Sequence, residues 1–217
     1  MKIIRVILAD DHEVVRSGVR AHLDNQGDIQ VVGEAENGVV LLDMVDRFKP
    51  DVVVADIEME GLNGLEALGQ ALKQHPKLGG VILSMHDDRP YIKRAWHYGI
   101  LGFVSKLDKS QEVINAIRHA ANRQRYLSPR AQKNAPPDDT LPDDEDNGTP
   151  LDVLTPREVQ VLQLTAEGKT SAEAAEILMI SVRTVEVHRA RLMKRLGLKN
   201  RVALVKFAAK YGVIPKE

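Results

Sequence analysis

The chain has 217 residues, 43% of them hydrophobic, with 30 basic side chains against 31 acidic ones. At about 150 residues per domain that leaves room for two small domains of an ordinary globular kind. The absence of cysteine excludes thiol catalysis, Cys-ligated zinc, iron–sulfur clusters and disulfides.

The first apolar run, Ile3 to Ala9, is interrupted by Arg5 and followed by Asp10 and Asp11. It is too short and too charged for a signal peptide or a membrane span, so a cytoplasmic protein with no membrane partner is expected. Residues 1–123 then alternate short β-branched runs with amphipathic stretches. Strands are predicted at Ile3–Ala9, Ile29–Glu34, Val52–Ala55, Gly80–Leu83 and Gly102–Val104, and helices near 13–24, 39–48, 64–74, 88–98 and 109–122. Five strand–helix units predict a flavodoxin-like parallel sheet of strand order 2-1-3-4-5, with helices on both faces and ligands at the C-terminal strand ends.

Residues 124–150 contain Pro129, Pro136, Pro137, Pro142 and Pro150, and an acidic run of Asp138, Asp139, Asp143, Asp144, Glu145 and Asp146. They read as a solvated linker, with an acidic strip docked on the basic half as the other reading. Residues 151–217 show no strand pattern. Thr155-Pro156-Arg157-Glu158 is a capping box with proline at the first helical position, and that helix is expected to stop at Gly168. Thr170, Ser181 and Asn200 can open three more helices, the last two ending near Gly197 and Gly212. The short bend at Met179-Ile180-Ser181 suits a helix-turn-helix. The net charge of −1 hides a segregation, with −3 in residues 1–123, −3 in 124–150 and +5 in 151–217.

Asp10 and Asp11 follow the first predicted strand, Asp56 the third, Ser84 the fourth and Lys106 the fifth. A lone loop aspartate usually caps a helix or solvates a turn. Five polar groups beyond four different strands instead converge on one sheet edge. Clustered carboxylates repel unless neutralised, and oxygen donors of this type suit Mg²⁺.

These residues resemble a known family. Ile7-Leu8-Ala9-Asp10-Asp11-His12, Asp51-Val52-Val53-Val54-Ala55-Asp56, Leu83-Ser84-Met85-His86-Asp87-Asp88 and Gly102-Phe103-Val104-Ser105-Lys106 are similar to the receiver domain of two-component response regulators. The resemblance implies that Asp56 is the phosphoacceptor for a sensor histidine kinase. It also implies that Asp10, Asp11 and Asp56 hold Mg²⁺ with the backbone carbonyl of Glu58, and that Lys106 and Ser84 contact the phosphoryl group. Phe103 matches the switch aromatic and is expected to turn inward as Ser84 moves; an ordinary core phenylalanine is the other reading. Glu58 and His86 match positions that influence phosphoryl lifetime. Two residues depart from the pattern: Glu60 and Leu107 stand where the family usually has proline. A less rigid loop is therefore expected, and the departure at Leu107 puts a cis peptide after Lys106 in doubt. His12 is expected to be structural and not a ligand.

Between Ser181 and Lys210 there are nine basic residues against the single acid Glu186, a field suited to phosphate backbones. Val185, Leu192 and Leu196 share one helical face, so Arg183, Glu186, Val187, Ala190 and Lys194 point the other way. The motifs from Leu154-Thr155-Pro156-Arg157-Glu158 to Lys194-Arg195-Leu196-Gly197 resemble the LuxR-type helix-turn-helix of NarL/FixJ regulators. By that resemblance Glu186, Val187 and Ala190 read bases, while Thr184, His188, Arg191 and Lys194 contact phosphates; Arg183, on the same outward face, is a further DNA-binding candidate. His188 has a core-facing alternative. Val202, Val205 and Ala209 are candidates for a dimer contact.

The expectation is a phosphorylation-dependent DNA-binding regulator, not an enzyme, that binds promoter DNA as a homodimer. The alternatives are a regulator whose receiver serves only for dimerisation or docking, and a Mg²⁺-dependent phosphohydrolase.

Overall fold

The computed structural model describes residues 2–59, 61–135, 150–151 and 153–214. Two compact units divide the chain near residue 141. Glu60 and the acidic run 138–146 lie outside the described residues.

In the first unit the elements run β1 (Ile4–Ala9), α1 (Glu13–Asp24), β2 (Ile29–Ala35), α2 (Gly38–Phe48), β3 (Val52–Ala55), α3 (Gly64–Gln74), β4 (Gly79–Ser84), α4 (Arg89–His97), β5 (Gly102–Ser105), α5 (Ser110–Ala121), β6 (Tyr126–Leu127) and α6 (Pro129–Asn134). All five predicted strand–helix units are present. The strands are parallel and ordered β2-β1-β3-β4-β5-β6. The reversal of order lies between β1 and β3, where the sheet opens a crevice at its C-terminal edge. Val52, Val53, Val54 and Ala55 are all buried, as a strand covered on both faces requires. Ile7, Val53, Ile82 and Phe103 belong to one core, and Val6, Val54, Val81 and Val104 to the other.

The linker starts later than the proline content predicts. Residues 124–135 fold onto the first unit, with Gly102 and Phe103 pairing with Tyr126 and Leu127. The buried Ser128 hydroxyl accepts from the Ser105 N–H at 3.0 Å. A two-residue strand carries no alternation to read, and Pro129, taken as a linker residue, occupies the first turn of α6, where its missing N–H is harmless.

The second unit comprises α7 (Pro156–Ala166), α8 (Ser171–Ile177), α9 (Val182–Arg195) and α10 (Arg201–Lys210). Each starts at the expected cap: Thr155 and Thr170 form capping boxes with Glu158 and Glu173, and Ser181 and Asn200 accept from Thr184 and Ala203 N–H groups. Met179, in the left-handed region at φ 53°, turns the chain from α8 into α9. Leu162, Val185, Leu192 and Leu204 centre the core. Among the described residues no helix is long and apolar enough to cross a membrane.

Candidate functional site

Three strand ends build the acidic site. Asp10 leaves β1 with its N–H bonded to the Ala35 carbonyl at 3.1 Å and its carboxylate accepting from the His12 N–H at 2.8 Å. Asp56 leaves β3 with its N–H on the Ala9 carbonyl at 2.8 Å. The following loop folds back so tightly that a Cβ at Gly64 would stand 1.8 Å from the Asp56 carbonyl oxygen. Only glycine fits that approach. Lys106 leaves β5, and its ammonium lies 2.7 Å from Asp10 and 2.7 Å from Asp56.

Asp10 and Asp56 are buried. Burial is the main force pushing the Asp56 carboxyl up to about 6; Asp10's like charge adds to it, against the attraction of Lys106 and a hydrogen bond from the Glu58 N–H. One ligand atom each from Asp10, Asp11, His12 and Asp56 fall within 4.8 Å of one another. Three carboxylates that close suit a hard divalent cation, so the residues present fit Mg²⁺. His12 joins this group geometrically. Its Nδ1 lies 2.7 Å from an Asp11 oxygen and its side chain is largely exposed.

The other expected residues surround this cluster. Ser84 is fully buried, and its hydroxyl accepts from the His86 N–H at 3.0 Å instead of engaging the carboxylates. Glu58 pairs with His86 at 3.1 Å, and the His86 ring stacks on Tyr91. Phe103 is only 1% exposed and already packs in the core with Tyr91 and Ile92, so the inward turn expected of it has no outward starting point here. There is no cis peptide among the described residues, Lys106–Leu107 included.

Sequence reading missed two charged groups. Arg16, on α1, donates to the Asp10 carbonyl at 2.5 Å and to Glu34 at 3.0 Å. Its only advance signal is its place one helical turn after His12. Further off, Glu66 of α3 bonds both Arg94 of α4 and the Tyr98 hydroxyl, with Glu66 and Arg94 buried.

On α9 of the second unit, Arg183, Glu186, Val187, Ala190, Arg191 and Lys194 are exposed, whereas Val185 and Leu192 are buried. The six exposed residues share one helical face. Thr184 is half-buried and its hydroxyl lies 2.7 Å from that of Ser181. His188 is half-buried with a covered, unbonded Nδ1, the tucked orientation its spacing from Val185 allows. Neighbouring cations serve the fold: Arg189 donates to Ser171 at 3.0 Å, and Arg195 to Glu158 at 2.7 Å and to the Val153 carbonyl at 2.9 Å. The arrangement offers a basic helical face with one acid and small apolar groups at its centre, the mixture that phosphate clamping with base-edge contact requires.

Two family models match the chain: "Response regulator receiver domain" over residues 6–118 and "Bacterial regulatory proteins, luxR family" over residues 152–208. The chain is similar to the oxygen regulatory protein NreC of Staphylococcus carnosus, with 33% identity over 95% of this chain and 97% of that one. It is similar to the response regulator GacA of Pseudomonas aeruginosa, with 31% identity over 97% and 98%. Among solved structures, the two-component response regulator RcsB in complex with DNA matches at 25% identity and a TM-score of 0.59, over 96% of this chain and 99% of that one. The chain belongs to the NarL/FixJ family of two-component response regulators, a receiver domain followed by a LuxR-type helix-turn-helix DNA-binding domain.

Proposed function

We propose that Asp56 accepts a phosphoryl group from a sensor histidine kinase and that the resulting change of receiver state controls dimerisation and binding to promoter DNA. The observation that carries this reading is the placement of Lys106, 2.7 Å from both Asp10 and Asp56 at the switch point of the sheet. A buried carboxylate held beside one cation, with two further carboxylates for a metal, is suited to phosphoryl chemistry.

An Asp56 carboxylate oxygen attacks the phosphorus of a phosphohistidine; the new O–P bond forms as the N–P bond breaks, and the imidazole leaves. Asp10, Asp11, Asp56 and the backbone carbonyl of Glu58 would hold Mg²⁺, which when bound would neutralise charge on the transferring group. Lys106 is already in place to balance the charge that the acceptor gains. The Ser84 hydroxyl accepts from His86 but keeps its own proton to donate, so a phosphoryl oxygen at Asp56 offers it a stronger partner. A local charge change of this kind biases a two-state surface.

For the second domain, Glu186, Val187 and Ala190 read base edges while Arg183, Thr184, Arg191 and Lys194 fix the helix on phosphates; His188, tucked with its Nδ1 covered, supports the helix from its buried side. Val202, 64% exposed on α10, with the partly exposed Val205 and Ala209, is the apolar surface a DNA-bound homodimer would share. Affinity for a duplex selected by the protein itself, measured for wild type and Asp56→Asn with and without beryllofluoride, tests the mechanism. Tighter binding is expected only for the wild type with beryllofluoride; equal affinity in all four conditions overturns the proposal.

A further inference from the structure

We infer that Arg16 is a positioning residue for the cation site, holding the Asp10–Asp11 turn in ligating geometry through the backbone carbonyl of Asp10. The inference rests on the reading of that cluster as a Mg²⁺ site. Asp10 is clamped on every polar group. Its N–H is bonded to the Ala35 carbonyl, its side chain accepts from the His12 N–H and from Lys106, and its carbonyl accepts from Arg16 at 2.5 Å. That carbonyl belongs to the peptide joining Asp10 to Asp11, so the Arg16 contact sets the plane from which the Asp11 side chain departs.

Arg16 is itself held. Its Nε donates to Glu34 at 3.0 Å, the two side chains are 15% and 26% exposed, and Glu34 also bonds Arg20. A guanidinium fixed at one nitrogen presents its remaining donors in a rigid fork. Two hydrogen bonds from different nitrogens, one to a carboxylate of β2 and one to a carbonyl at the end of β1, therefore fix its plane. Arg16 also lines a small cavity together with Asp10, Asp56, Leu8, Val54 and Leu83.

Two other roles for Arg16 make different predictions. As a plain cation near three carboxylates it would repel Mg²⁺, so its removal would tighten metal binding. As a strut between α1 and β2 it would support stability and leave metal affinity unchanged. As a positioning residue its removal weakens binding, because outer-shell partners of metal ligands are typically worth tenfold or more in affinity.

The test is Mg²⁺ titration of the full chain followed by amide NMR shifts, with thermal denaturation alongside, for wild type, Arg16→Met, Arg16→Lys, Glu34→Gln and Arg118→Met. Arg118 pairs with Asp28 at 2.8 Å at the opposite end of the sheet and serves as a control for stability loss. Arg16→Met is expected to weaken Mg²⁺ binding about tenfold. Arg16→Lys, which keeps a donor, should recover part of that, Glu34→Gln should weaken binding less, and Arg118→Met should leave affinity unchanged. Wild-type affinity or tighter in Arg16→Met overturns the inference; should that variant not fold, unchanged affinity in Glu34→Gln does so. A wild type without a saturable Mg²⁺ shift overturns the cation site itself, a separate result.

Discussion

The Lys106 ammonium lies 2.7 Å from an Asp56 oxygen, an ion pair formed by residues fifty positions apart and held by two parallel strands with a third strand between them. Water is nearly excluded there, so each charge is felt more strongly than at the surface. Even so, Lys106 does not bring Asp56 back to the usual carboxylate range, and burial holds its carboxyl up at about 6.

Lys106→Met should push the Asp56 carboxyl above 6 and slow phosphoryl uptake from a small phosphodonor such as phosphoramidate on the order of 100-fold, the usual effect of losing one charge-stabilising donor. Carboxyl-detected NMR gives the titration, and phosphorylated protein against time gives the rate. An unchanged rate would remove Lys106 from the chemistry.

With divalent cations chelated, receiver stability should rise as pH falls from about 7 towards 4. Asp56 is raised by burial, so between its unfolded value of 3.8 and its folded value of about 6 the native state binds more protons than the unfolded one. The change from this group amounts to at most about 3 kcal/mol and should vanish in Asp56→Asn. The opposite sign applies below that window. Hydrogen bonding to Arg118 holds Asp28 below the usual range. Glu34, against the cost of burial, is held low by bonds from Arg20 and Arg16, and Asp51, likewise against burial, by Lys2 and Arg5. Their stabilisation is present above about 4 and is lost as pH falls through their lowered values. Urea melts at closely spaced pH values separate the two regimes.

Arg94→Met should destabilise the receiver by about 3–5 kcal/mol, because Glu66 would be left buried and without its guanidinium. The double variant Glu66→Leu with Arg94→Met should recover most of that loss, since an apolar pair of similar volume replaces two desolvated charges. Chemical denaturation of the three proteins checks it.

Two arginines four positions apart on α9 should behave oppositely. Arg191→Ala should leave melting within about 0.5 kcal/mol of wild type, weaken binding to all duplexes alike and lower the salt slope by roughly one counterion. Arg195→Ala removes the partner of the buried Glu158 and should cost about 1–3 kcal/mol of stability in the second unit, with little change in salt slope once folded. Paired melting and salt-titration curves distinguish them.

Periodicity and caps are local, which is why the sequence by itself determined the division into two units, the five strand–helix repeats, and the starts of α7 to α10 at Thr155, Thr170, Ser181 and Asn200. A parallel sheet places whatever follows each strand at one edge, so the convergence of Asp10, Asp56 and Lys106 was legible from their positions after β1, β3 and β5. Tertiary structure decided the rest. That Arg16 reaches the Asp10 carbonyl, that Glu66 finds Arg94, and that Arg195 serves Glu158 while Arg191 faces solvent all depend on how separate elements pack, and side-chain spacing along one element carries no information about that. The strand β6 was invisible for the same reason: two residues have no pattern of their own and become a strand only because β5 offers an edge to pair with.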